Sequence, residues 1–220
     1  MILTPEIVEI VVLSLRVSVV ASVLGLVLGA PTGAWIATMH GKAKRVWLAC
    51  FSALLAFPTV VVGLLVYMAL SRSGPLGDLG LLFTPSAIII AQIIITLPVI
   101  IVFTHRACAE PWAAYGDALR LDIRSRGRQI WEVLKLAKAG IVTAFLVAFG
   151  RAISEVGAVM IVGGNIRGQT RVMTTAITLE TRQGNFSIAV WLGAILVAIS
   201  LLVTVLTWWI TRDRPVNKRK

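Results

Sequence analysis

Apolar positions run almost unbroken through five stretches of the chain, at 7–36, 46–70, 85–104, 141–162 and 188–210, and polar residues gather in the short segments between them. About 20 consecutive apolar residues in a helix cross the hydrocarbon core of a bilayer, so each stretch predicts one membrane-spanning helix. The second, third and fifth hold no charged residue; the first holds Arg16, with Glu6 and Glu9 at its start, and the fourth holds Arg151 and Glu155. The first stretch is too long for the apolar core of a signal peptide and has acidic rather than basic residues ahead of it, so it is expected to be retained.

Composition agrees. Of 220 residues, 58% are hydrophobic and only 14% charged, against about 25% charged in ordinary soluble domains. A chain this apolar is not disordered. The expected fold is an all-α integral membrane protein, a single transmembrane domain over residues 1–220.

The net charge of +11 would suit a nucleic-acid partner, but the basic residues sit in tracts between the apolar runs. Five crossings put the termini on opposite sides. With the N-terminus outside, the inner segments carry fifteen basic residues (Lys42, Lys44, Arg45, seven between Arg106 and Lys138, and five from Arg212 to Lys220) and the outer segments four, Arg72, Arg167, Arg171 and Arg182. The positive-inside rule therefore predicts N-terminus out and C-terminus in, with the basic residues against anionic lipid and no nucleic acid involved. Trp208 and Trp209 fall where an aromatic belt at the inner interface is expected.

Cys50 and Cys108 imply no disulfide framework, and the isolated His40 and His105 give no metal site. Pro31, Pro58 and Pro98 each remove a backbone donor inside an apolar stretch and are expected to kink their helices. Gly25, Gly29 and Gly33 recur every four residues, the spacing of a close helix contact; bent helices around a translocation path are the alternative.

Arg151 and Glu155, four apart, are expected on one helix face. A lone charge at mid-membrane costs about 2.5–3.5 kcal/mol on insertion scales, so pairing is favoured. Their face looks into a pathway or subunit interface, or the pair locks its helix to its neighbours. Arg16 is expected to snorkel toward the headgroups. Residues 106–140 form a long segment of mixed charge and helical periodicity, divisible at Gly127: either a docking surface for a soluble partner or an amphipathic helix lying in the interface.

That segment, in this place in the topology, resembles the cytoplasmic EAA loop of ABC-importer permeases. In that alignment Ala118 and Leu134 match the pattern, while Gly116, Asp117, Asp122, Glu132 and Lys135 replace its usual Glu, Ala, Gly, Ile and Pro. The stretch GRAISEVGAVMIVGGNIRGQTRVMTTAITLETRQGNF, from Gly150 to Phe186, closely resembles tungstate-type permeases, relatives of molybdate permeases, above all in GGNIRGQTRVMTTAI.

The resemblance implies an ABC-importer permease working as a homodimer, with two cytoplasmic ATPase subunits that bind ATP and Mg and an extracytoplasmic substrate-binding protein. It implies a coupling helix over Gly116–Ile123, with Gly116, Asp117, Ala118, Leu119, Leu121 and Asp122 at the ATPase groove. The chain has no Gly-x4-Gly-Lys-Ser/Thr loop, so it is not itself the ATPase, and no cofactor is expected on it. Pathway or gate candidates are Arg151, Glu155, Gly163, Gly164, Asn165, Arg167, Thr170, Arg171 and Thr174: glycines for close backbone approach, Asn165 and the threonines as neutral donors, together with Thr175, and the arginines to attract an oxoanion. Docking of the binding protein by this loop ranks above direct coordination of substrate.

Tungstate is the expected cargo, with molybdate, sulfate or another oxoanion as the alternative. A self-sufficient channel or secondary transporter would show inverted repeats and more intramembrane acids. An intramembrane hydrolase would place Ser154 in a Gly-x-Ser-x-Gly turn; neither pattern is present.

Overall fold

The structure, a computed structural model, describes residues 5–212, the last by its backbone alone. The basic residues Arg214, Lys218, Arg219 and Lys220 lie outside the described residues. Among those described, nine α-helices follow in order: α1 (Pro5–Thr38), α2 (Gly41–Leu54), α3 (Thr59–Leu70), α4 (Pro85–Asp122), α5 (Arg126–Leu136), α6 (Lys138–Ile153), α7 (Gly157–Gly163), α8 (Met173–Gln183) and α9 (Phe186–Arg212), with no strand. Three of them, α1, α4 and α9, are long and apolar enough to cross a membrane alone, and bent helix pairs raise the count to at most five.

Two of the five stretches are not single helices. Residues 46–70 divide into α2 and α3, bent by 91° at the break. Pro58 is the cause: it has no N–H to donate, it disfavours helical geometry at Phe57, and its extended backbone forms the N-cap of α3. Residues 141–162 divide into α6 and α7 across Ser154–Val156. There the Ser154 hydroxyl donates to the Gly150 carbonyl at 2.7 Å, closing the last turn of α6 by competing for its backbone.

The stretch at 85–104, by contrast, is only the first half of α4. That helix passes Pro98 and Pro111 without interruption and runs for 38 residues, or about 57 Å at 1.5 Å per residue. A hydrocarbon core is about 30 Å thick, so roughly half of α4 extends beyond it. The chain breaks at 123–125, not at Gly127, which lies within α5, and α5 and α6 meet at 80°.

α4 is the centre of the fold. It packs against α1 most extensively and also against α2, α3, α5, α6 and α7. The glycine repeat makes the α1 contact possible. A methyl group at Gly29 would lie 2.9 Å from Ile100 Cγ2, and one at Gly33 would lie 2.5 Å from the Ile101 carbonyl oxygen. The repeat is a packing seam: Gly33 lies against the α4 backbone, while Gly25 and Gly29 make room for the Ile100 side chain. Gly63 does the same for α3 and α7, where a methyl group would lie 2.6 Å from Ala158 Cα. α9 joins the bundle through Leu192 and Val203 and leaves Val190, Val197, Leu201, Leu202 and Val205 exposed, as a helix bathed in lipid does.

Candidate functional site

The break between α6 and α7 gathers several of the buried polar side chains of the bundle interior. A helix interrupted in apolar surroundings frees backbone groups that must find new partners. Three elements supply them. Gln92 on α4 donates from Nε2 to the Ala152 carbonyl at 2.9 Å and reaches Ser18 Oγ on α1 at 3.4 Å. Glu155, in the break, accepts the Ala158 N–H on Oε1 at 3.3 Å, at the start of α7. Thr174 on α8 donates to the Glu155 carbonyl at 2.8 Å.

Arg151 and Glu155 therefore do not share a helix face, because α6 ends between them. Glu155 is buried, with 5% of its surface exposed, whereas 45% of the Arg151 side chain is exposed. Their closest approach is 4.0 Å, Nη2 to Oε2. Arg151 instead lines a cavity of about 230 Å³ against the α2–α3 bend and α4, walled by Leu54, Phe57, Val62, Leu65, Ile95 and Val99 among others. It is the one charged residue of that lining.

The loop from α7 to α8 is stiff for identifiable reasons. Gly164 and Asn165 both have positive φ, 68° and 52°, and a methyl group at Gly164 would lie 2.8 Å from the Phe83 ring. Thr170 is fully buried; its hydroxyl donates to the Gly163 carbonyl at 2.5 Å and accepts the Ile166 N–H at 3.0 Å. Thr175 is likewise engaged, with both the N–H and the carbonyl of Val172. The reading of Thr170, Thr174 and Thr175 as free donors for an oxoanion is thus corrected: each hydroxyl is committed inside the fold. Glu6 on α1 answers the two arginines, bonding Arg167 Nη2 at 2.5 Å and lying 3.5 Å from Arg171 Nη1. The loop is latched to the first turns of α1.

At the other end of α1, the segment 116–122 forms the last turns of α4 rather than a separate helix. Asp117, Ala118, Leu121 and Asp122 are exposed, and Leu119 is half-buried. Leu121 is 87% exposed, an apolar side chain with no protein around it. Gly116 is buried, close enough to Trp112 that a methyl group would lie 3.1 Å from the indole, so it packs inward and offers no contact surface. Arg120 ties the segment together. It pairs with Asp117 at 3.1 Å, lies 5.0 Å from the Trp112 ring centroid, and donates to His40 Nε2 at 3.1 Å, linking α4 to the α1–α2 turn. Gln129 closes the α4–α5 turn on the Ile123 carbonyl at 2.6 Å.

With that geometry in place, the family described as binding-protein-dependent transport system inner membrane component matches residues 25–213. The chain belongs to this family. It is a multi-pass inner membrane component of such a system. A probable anion ABC transporter permease protein of Haloferax volcanii is 44% identical over 204 residues, covering 90% of this chain and 88% of that protein. The tungstate uptake system permease protein TupB of Peptoclostridium acidaminophilum is 35% identical over 199 residues, covering 90% and 87%. An inward-facing structure of the MetNI methionine ABC transporter superposes with a TM-score of 0.68 at 16% identity, over 94% of this chain and 97% of that one, a likeness of fold.

In this inner membrane component, the sequence pattern singles out Arg151, Glu155 and the segment 116–122 as candidates, but not Gln92, Arg120 or His40, which the structure places beside them. Gln92 carried a signal: it is the one amide side chain within the apolar stretch 85–104, and a polar group there needs a partner. His40 and Arg120 are 80 residues apart, and nothing local announces their meeting.

Proposed function

We propose that the chain is the membrane-spanning subunit of an ATP-driven ABC importer that carries an oxoanion, specifically tungstate, into the cell. The observation that carries this reading is similarity along nine-tenths of the chain to permeases named for anion and tungstate uptake. The chain crosses the membrane five times with its N-terminus outside, counting each bent helix pair once, and works as a homodimer. ATP and Mg are bound by two separate cytoplasmic ATPase subunits, and a binding protein delivers the anion from outside.

The mechanism follows from α4. The ATPases grip its exposed end at Asp117, Ala118, Leu121 and Asp122, and ATP binding draws the two ends together. A 38-residue helix packed on five others besides α1 moves as a rigid body, so displacement at Leu121 reaches the α6–α7 break through Gln92. The pore thereby alternates between two packed arrangements. Gly163, Gly164, Asn165, Arg167 and Arg171, in the latched loop, form the docking surface for the binding protein.

The test is co-purification with the ATPase encoded alongside it, followed by ATPase assays with the cognate binding protein loaded with tungstate, molybdate or sulfate. Tungstate-loaded protein is expected to stimulate hydrolysis most. Preference for molybdate or sulfate would change the cargo, and no response to any of them would reject the oxoanion reading.

A further inference from the structure

Arg151 is a charged residue at an apolar-walled cavity, and its side chain has no hydrogen-bond partner of its own among the described residues. Among the described residues no acceptor lies within hydrogen-bonding distance of its guanidinium, and its only ionic neighbour is Glu155 at 4.0 Å. Glu155 accepts the Ala158 N–H on Oε1 and turns Oε2 toward Arg151 without reaching hydrogen-bond distance. Five N–H donors thus face a cavity whose walls are almost wholly leucine, isoleucine, valine and phenylalanine. Nearly half of the Arg151 side chain is exposed, so its donors stand free at the mouth of this cavity for a polar ligand.

From this we infer that Arg151 and its cavity form a transit site where the oxoanion pauses inside the membrane region, an inference that rests on the function proposed above. Three features suit the ligand. A tetrahedral oxoanion presents two oxygens in one plane, the geometry a guanidinium meets with paired hydrogen bonds. The cavity, at about 230 Å³, holds several waters at about 30 Å³ each, so the anion enters with part of its hydration. The charge balance also suits passage rather than storage. A pathway site must attract an ion well enough to admit it and weakly enough to release it, and the Glu155 carboxylate repels a dianion that Arg151 attracts. Arg151 is the binding group; Glu155 tunes release.

The experiment uses the complete transporter, with its ATPase and binding protein, in liposomes. Tungstate uptake and ATPase stimulation are measured for the wild type, Arg151→Gln, Arg151→Lys and Glu155→Gln. Glutamine at 155 keeps an oxygen for the Ala158 N–H and removes the charge. Arg151→Gln is expected to lower maximal uptake by about tenfold or more, the scale of a lost charge-assisted hydrogen bond, while the tungstate-loaded binding protein still stimulates hydrolysis. Arg151→Lys should fall between, keeping charge without the paired geometry. Glu155→Gln should tighten equilibrium tungstate binding to the purified permease–ATPase complex. Uptake by Arg151→Gln within twofold of wild type would overturn the inference. If that variant fails to assemble, normal uptake by Arg151→Lys with unaltered tungstate binding by Glu155→Gln would overturn it equally, leaving Arg151 an interface residue. Wild-type transporter that moves no oxoanion would instead reject the parent proposal.

Discussion

Gly33 and Gly193 are both helical glycines in apolar helices, and a single methyl group separates their roles. At Gly33 it would lie 2.5 Å from a backbone oxygen of α4; at Gly193 it would meet nothing within 4 Å. Gly33→Ala is therefore expected to lower the melting temperature in detergent, by a destabilisation of about 1–3 kcal/mol for forced overpacking. Gly193→Ala should leave it unchanged or raise it, since glycine inside a helix costs about 0.5–1 kcal/mol against alanine. Gln92 gives a second residue-scale expectation. Gln92→Leu fills the same space and removes one hydrogen bond from the Ala152 carbonyl, which still accepts the Glu155 N–H at 3.2 Å; the cost is about 0.5–1.5 kcal/mol, and thermal unfolding should show it as a modest loss of stability. These roles were unevenly legible in the sequence. Four-residue glycine spacing names a packing face whatever the partner, whereas Thr170 and Thr174 looked free because their partners, Gly163, Ile166 and Glu155, come together only when the chain folds.

Among the helices, apolar length and helix continuity prove to be different properties. The five apolar stretches were plain in the sequence because burial in lipid demands them, and α1 and α9 correspond closely to two of them. What the stretches conceal is where helices stop. Pro58 announced one break through its missing donor. The break at 154–156 has no proline and depends on Ser154, Glu155, Gln92 and Thr174 acting together, two of them supplied by other elements, α4 and α8. The continuation of α4 beyond residue 104 was hidden by the change from apolar to charged residues, which signals the membrane boundary and not the helix end. That continuation yields a prediction about the lever. Leu121→Asp, at a site 87% exposed, should leave folding and melting temperature unchanged yet abolish stimulation of the ATPase by the loaded binding protein. Normal stimulation in that variant would detach the end of α4 from coupling. Arg120→Ala, which removes the links to Asp117, Trp112 and His40, should weaken coupling partially.

For the molecule as a whole, the bundle has one stiff axis with work proposed at both ends. α1 carries Glu6, latched to Arg167 and Arg171, at its start, and its final turn leads to His40, bonded to Arg120. α4 lies along it on the glycine seam. Loop and lever therefore share a scaffold too closely packed to bend, and motion has to occur at the breaks. The central claim is that the exposed end of α4 lies in the cytoplasm and is held by the ATPase. Its most direct test is accessibility labelling of Leu121→Cys in a Cys50→Ser background, since Cys108 is buried and Cys50 is exposed. A membrane-impermeant maleimide should label the site only after cells are permeabilised, and co-expressed ATPase should block that labelling. Labelling in intact cells would put the end of α4 on the wrong side of the membrane and contradict the account.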